Sequence, residues 1–176
     1  MRYRRVKIPG GTFFFTINLA DRRSTLLTDC IASLREAVRT VKLRHPCHIH
    51  AWVVLPEHMH AIWTMPGEDD DYSMRWMLIK QRFSRAIASY ERVNASKRRK
   101  GERGVWQRRF WEHQIRDDID LGHHIDYVHI NPVKHGYVER ASAWPYSSIH
   151  QYIRRGDLAP DWACDPDLHE LAGERL

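Results

Sequence analysis

The stretch Trp52-Val-Val-Leu-Pro-Glu-His-Met-His-Ala-Ile-Trp63 decides how this chain is read. Its two apolar arms flank Pro56-Glu57, so it reads as a strand, a tight connection and a second strand. Side chains alternate along a strand, which puts His58 and His60 on one face and Met59 on the other, in packing. Two imidazoles about 7 Å apart on a rigid face can clamp one divalent ion. The order His-Glu-x-x-His of a zinc-protease helix is absent. Histidine pairs also arise by chance in a chain with 12 histidines, as half-exposed strand residues. The pair therefore needs a third ligand and a chemical partner elsewhere.

Outward from this hairpin the chain alternates β-rich and helical patterns. Residues 12–19 read as a strand, and 29–44 as an amphipathic helix with Ile31, Leu34, Val38, Val41 and Leu43 inward. The hairpin strands span 48–55 and 58–65. An acidic loop at 67–71 precedes a second helix over 72–94, with Met74, Met77, Leu78 and Phe83 among its apolar positions. A basic loop fills 95–104, a strand 110–116 and a last helix 117–131. The order β-α-β-β-α-β predicts an α+β protein of the ferredoxin-like, split βαβ type. Its antiparallel sheet carries two helices on one face. To this are added a helix carrying a tyrosine and a short C-terminal helix through Arg154, opened by Trp144-Pro-Tyr-Ser-Ser148. We expect one domain: a basic arm (1–11), a core (12–136) and an extension (137–176).

Composition narrows the partners. The chain has 176 residues, enough for one well-cored domain. Mean hydropathy is −0.60 and no long apolar run is present, which argues against a membrane partner. Cys30, Cys47 and Cys164 are isolated and odd in number, as suits free thiols in a reducing cytoplasm. The net charge of +6 favours a polyanion. Lys97, Arg98, Arg99, Lys100, Arg103, Arg108, Arg109 and Arg116, against Glu102 and Glu112, carry an excess equal to that of the whole chain. Arg2, Arg4, Arg5 and Lys7 form a second cluster. Charge runs are usually solvated faces, but Trp106, Phe110 and Trp111 are interleaved with this one. Aromatic faces can stack on unpaired bases while arginines hold phosphates. Trp106 and Phe110 serve equally well as core.

The partner of the histidine pair is in Asp126-Tyr-Val-His-Ile-Asn-Pro-Val-Lys-His-Gly136. Asp117, Asp118 and Asp120 crowd a helix start, where acids complement the dipole, and Ile119, Leu121, Ile125 and Val128 supply apolar positions at roughly helical spacing. Pro132 and Gly136 mark its end or a kink. Tyr127 and Asn131 are four apart and share a helical face. A tyrosine here is more often a core aromatic than a nucleophile. Joined to a metal it makes chemical sense: the ion polarises a phosphodiester, a phenolate attacks phosphorus, and the Asn131 amide completes the ligand set. Free tyrosine has a pKa near 10. The metal, Lys134 or a histidine would have to help remove its proton.

These pieces, with Tyr3-Arg-Arg, Gly10-Gly-Thr-Phe-Phe-Phe-Thr16, Gly104-Val-Trp-Gln-Arg-Arg-Phe-Trp111 and Trp144-Pro-Tyr-Ser-Ser148, resemble the REP-associated tyrosine transposases of the single-tyrosine HUH superfamily. Their order and spacing span nearly the whole chain. The resemblance implies that His58 and His60 are the metal ligands, Asn131 the third and Tyr127 the nucleophile. Related transposases often carry Gln where this chain has Asn131, a longer amide arm. The implied activity is endonuclease and strand transfer on a single-stranded DNA hairpin from a repetitive extragenic palindrome. It would use Mg2+ or Mn2+ and pass through a 5′-phosphotyrosine. DNA contacts are expected from Arg2, Arg4, Arg5, Lys97, Arg98, Arg99, Lys100, Arg103, Arg108, Arg109 and Lys134. The expected state is a monomer, with a dimer as the alternative, in a bacterial cytoplasm and on the nucleoid when bound. Rival readings are a catalytically silent hairpin-binding regulator and a metal-dependent small phosphoesterase.

Overall fold

A computed structural model describes residues 6–87 and 104–162. Its sheet is built from β1 (Thr12–Asn18), β2 (His48–Val54), β3 (His58–Thr64) and β4 (Trp111–Gln114). The strand order is β2-β3-β1-β4 and every neighbouring pair is antiparallel. This is the ferredoxin-like pattern expected from the element order. The helices are α1 (Leu26–Asp29), α2 (Ile31–Arg44), α3 (Tyr72–Ala86), α4 (Asp118–Lys134) and α5 (Ile149–Arg155), with a 3-10 turn at Ala141–Ala143.

Strand alternation divides the interior in two. Phe13, Phe15, Ile17, Met59, Ala61 and Trp63 point to the face covered by α2 and α3. Phe14, Ala51, Val53 and Ile62 point to the other, where Tyr127 and Val128 of α4 cover them. Both faces are thus closed, which is why six of the seven residues of β3 are buried. α2 turns Leu34, Ala37 and Val41 inward, but Leu43 is 71% exposed, contrary to expectation. It falls on the solvent side of the last turn. α3 buries Tyr72, Trp76, Ile79 and Phe83, while Met77 lies outward. Trp76 stacks on Trp63 with centroids 4.2 Å apart and planes at 15°.

Arg75 is a charged residue inside this apolar side. It donates to the carbonyls of His45, Pro46 and Asp71 and to the Asp69 carboxylate at 2.7 Å. A buried guanidinium is tolerable only when its donors are satisfied in this way. At the β1 entry Gly10 has φ +69°, and a Cβ there would meet Gly67 Cα at 3.3 Å.

α4 starts at Asp117, whose side chain accepts from Asp120 N at 2.8 Å. It does not end at Asn131. It runs through Pro132 to Lys134. Proline's φ is helical, so only one backbone hydrogen bond is lost. The end is closed by Gly136 N to Val133 O (2.9 Å) and Tyr137 N to Pro132 O (3.0 Å), with Gly136 at φ +70°. This is a Schellman closure. Asn131 is therefore helical and remains one turn from Tyr127. Ile119, assigned to the apolar pattern of this helix, is 72% exposed.

The C-terminal segment covers the outer edge of β2. Val54 N donates to Tyr146 O and Ser148 N to Trp52 O, while Trp144 Nε1 donates to Val54 O. An open strand edge is thereby paired. His129 on the outer side of α4 shares a 2.9 Å hydrogen bond with Ser148.

Candidate active site

β3 presents His58 and His60 toward α4, as alternation requires, with ring centroids 5.0 Å apart. Thr16 lies directly across from His60 on β1, and its hydroxyl is 3.0 Å from His60 Nδ1. His58 Nδ1 donates to Glu57 Oε1 at 2.7 Å. Both Nδ1 atoms are thus engaged, and the Nε2 atoms are the ones left for a ligand. Glu57 is itself held by Tyr137, whose hydroxyl donates to Oε2 at 3.3 Å, and by Arg22 at 3.8 Å. His135, at the end of α4, sets its ring 5.0 Å from that of His58.

α4 brings the other two groups. The Tyr127 ring lies 5.2 Å from the His60 ring, edge to face, and 5.6 Å from Phe14. Lys134 Nζ sits 4.8 Å from the centre of the Tyr127 ring. Asn131 is buried one turn on, and neither atom of its amide has a hydrogen-bond partner among the described residues. The same is true of His60 Nε2. Buried polar atoms left unpaired cost about 1–3 kcal/mol each. Three of them around one tyrosine fit a bound divalent ion, with imidazole and amide oxygen as its donors. Burial lowers the His60 pKa well below that of ordinary histidine, and the neighbouring His58 adds to this. Burial also lowers that of His58, against the opposing pull of Glu57. Both imidazoles are therefore held in the neutral form that a metal requires.

A second donor cluster lies further along the same face. Ligand atoms of His113, Asp120 and His124 are within 4.8 Å of one another, a combination able to hold a metal ion. Its carboxylate is already occupied. The Asp120 carboxylate accepts from His113 Nε2 (3.1 Å), Arg116 N (3.1 Å) and Arg116 Nε (3.0 Å), and His124 Nδ1, which donates to the Asp120 backbone carbonyl at 2.8 Å, lies 3.1 Å from Oδ1. Burial pushes the Asp120 carboxyl up, but the Arg116 and His113 bonds outweigh it and hold it well below the usual carboxylate range. The Arg116 guanidinium already supplies a positive charge to that carboxylate, whereas His60 Nε2 and the Asn131 amide have no partner among the described residues and could hold an ion together with His58.

His58, His60, Tyr127 and Lys134 thus converge, with Asn131 buried one turn on from Tyr127. Arg109 is exposed on the approach to β4. Arg108 lines a cleft with Trp76, Lys80 and Ser84 on the α3 side of the sheet, away from the tyrosine. Trp106 and Phe110 pack into the apolar core there, which is the plainer of their two readings. Arg2, Arg4, Arg5, Lys97, Arg98, Arg99, Lys100 and Arg103 lie outside the described residues. Sequence reasoning missed Thr16, Glu57 and His135 as supports of the imidazoles. Glu57 adjoins His58 and was noticeable, but only the fold shows that its carboxylate turns back onto the ring. The Asp120/His124 spacing of four was the one local signal for the second cluster.

No model of a known protein family matches the chain. A REP-associated tyrosine transposase of Escherichia coli strain K12 is 50% identical over 174 residues, covering 99% of this chain and 97% of that protein. A protein of Haemophilus influenzae carrying the same family name is 44% identical over 167 residues, covering 94% and 95%. A solved structure of a REP-associated tyrosine transposase bound to a REP hairpin superposes with a TM-score of 0.84 at 48% identity, covering 100% of this chain and 98% of that one.

Proposed function

The chain belongs to the REP-associated tyrosine transposases, a family of DNA-processing enzymes, and from that premise we propose that it cuts and rejoins single-stranded DNA at repetitive-palindrome hairpins through a tyrosine-linked intermediate. The observation that carries this reading is the edge-to-face contact of Tyr127 with His60, whose Nε2 is unpaired, with the unpaired amide of Asn131 one helical turn on from Tyr127. Mg2+ or Mn2+ held by His58, His60 and Asn131 would polarise the scissile phosphate and screen its charge.

Tyr127 is the nucleophile. Its phenolic oxygen forms a bond to phosphorus as the bond to the 3′ oxygen breaks, leaving a 5′-phosphotyrosine and a free 3′-OH. The Tyr127 proton leaves before or during attack, and the Lys134 ammonium beside the ring favours the phenolate. Attack by the same or another 3′-OH reverses the step and releases the tyrosine, so no nucleotide is hydrolysed. Glu57 and Thr16 fix the imidazole orientation through their Nδ1 contacts. Phe14 holds the ring of Tyr127 edge-on, limiting its swing.

An adduct gel tests this. Wild-type protein and Tyr127→Phe are mixed with labelled hairpins from repeats near the gene, with Mg2+, Mn2+ or EDTA. A denaturant-stable adduct that needs both metal and Tyr127 is expected, with hairpin retardation kept by the phenylalanine variant. Retardation without any adduct would mean a hairpin-binding regulator instead. Metal-dependent phosphoester turnover that survives loss of Tyr127 would mean a hydrolase.

A further inference from the structure

Beside the tyrosine, β4 carries an aromatic that the reaction above does not use. Trp111 is 51% exposed, the most open tryptophan among the described residues. By strand register it shares a face and a row with His60, through Thr16: His60 pairs with Thr16, and Thr16 with Trp111. Two strand spacings separate Trp111 from His60, roughly 10 Å. Phe14 links the two places, meeting Trp111 edge-on at 5.7 Å and Tyr127 at 5.6 Å.

The Trp111 ring belongs to a ladder. It lies nearly parallel to His113, with centroids 5.9 Å apart and planes at 11°. His113 lies nearly parallel to His124 at 4.7 Å and 13°. The Asp120 carboxylate accepts from His113 Nε2 at 3.1 Å and its backbone carbonyl accepts from His124 Nδ1 at 2.8 Å, which fixes both planes. Arg116 and the α4 N-terminal turn fix Asp120 in turn. Three rings from β4 and α4 are thus aligned in advance, with the largest at the solvent end. A flat π surface of this kind, already ordered, loses little entropy when another flat ring is added.

We propose that Trp111, backed by His113 and His124, is the stacking platform for an unpaired nucleobase of the DNA strand adjoining the scissile phosphate. This rests on the catalytic reading of Tyr127 for the place of the phosphate. The occupant is a base rather than an apolar side chain for two reasons. The ladder is flat, parallel and half-polar, and it continues directly from the phosphodiester site. Arg109, two residues before Trp111 in the chain, is exposed and is a cation suited to a nucleotide backbone. Trp111 acts here as a specificity and positioning residue, and His113, His124 and Asp120 set its orientation.

The test uses synthetic DNA hairpins in three forms: blunt, with four unpaired 5′ nucleotides, and with four unpaired 3′ nucleotides. In the flanked forms 2-aminopurine occupies the unpaired position next to the stem. Affinity and 2-aminopurine fluorescence are read for full-length wild type, Trp111→Ala and Trp111→Tyr, in EDTA so that no cleavage intervenes. Wild type is expected to bind one flanked form more tightly than the blunt form and to quench its 2-aminopurine. Trp111→Ala should lose about tenfold in affinity for that form and lose the quench, with blunt-hairpin binding unchanged. Trp111→Tyr should keep most of both. Equal affinity and equal quenching in wild type and Trp111→Ala would overturn the platform. So would a wild type indifferent to the flank. The catalytic reading fails separately, by the absence of a metal-dependent adduct with Tyr127, whatever happens to flank binding.

Discussion

On one face of the sheet, Phe13, Phe15, Ile17, Met59, Ala61 and Trp63 meet α2 and α3 in a dry, aromatic layer. On the other, the same strands hold Phe14, Thr16, His58, His60 and Ile62 against a helix that brings a tyrosine and an asparagine. The first face is filled with rings, and the buried indole N–H groups of Trp52, Trp63 and Trp76 that it leaves unpaired offer no lone pair to a metal. The second leaves His60 Nε2 and the Asn131 amide buried without partners. Adjacent residues of β3 serve the two sides: Met59, Ala61 and Trp63 anchor the strand in the core, and His58 and His60 face the tyrosine helix from the alternate positions. The imidazoles stay in place because the opposite side of their own strand is locked into the core.

Three perturbations would break or sharpen that contrast. The largest belongs to the packed face. Trp76→Ala removes the ring that stacks on Trp63 and touches Phe15 and Trp52. Chemical denaturation should show a loss of about 3–5 kcal/mol. A loss below 1 kcal/mol would mean that this layer is not the foundation of the fold.

The next concerns His129, on the outer side of the tyrosine helix. Burial lowers its pKa to about 4. The unfolded chain then takes up a proton near pH 6.5 while the folded one does not. Stability should be full above that pH, fall as pH drops, and level off near pH 4, with a total of about 3 kcal/mol. Melting curves across this window should be flatter for His129→Gln than for wild type.

The smallest effect on stability is expected on the working face. Asn131→Leu replaces an unpaired buried amide with an apolar side chain of similar size. Stability should change by less than about 1 kcal/mol, or rise, while metal-dependent adduct formation with the hairpin is lost. Strong destabilisation by this substitution would show that Asn131 is a structural group whose partners the fold supplies.

Much of this was legible beforehand. The hairpin around Pro56 announced two strands, and the alternation of apolar and helical patterns gave the β-α-β-β-α-β order. Errors fell where patterns were thin. Leu43 and Ile119 are apolar residues near helix ends, where the buried stripe has already turned away. Pro132 read as a stop, but in the last turn it costs one hydrogen bond, and the Gly136 closure satisfies the carbonyls around it. For Trp106 and Phe110 the sequence left two readings open, stacking on bases and packing in the core. In space they pack on Phe83 and Trp76, and Trp111 is the aromatic left at the surface.

The sequence by itself determined parity: which strand residues travel together, that His58 and His60 share a face, and that Tyr127 and Asn131 share one too. Parity follows from the local geometry of strand and helix, which a few residues fix. Only the tertiary structure decided that those two faces meet. That depends on which side of the sheet α2 and α3 had already covered, and on α4 finding its apolar partner in Phe14, Val53 and Ile62. The same is true of Glu57, Thr16 and the Asp120 ladder. Each is a contact between side chains whose closeness is set by strand register and helix docking, and no local pattern encodes it.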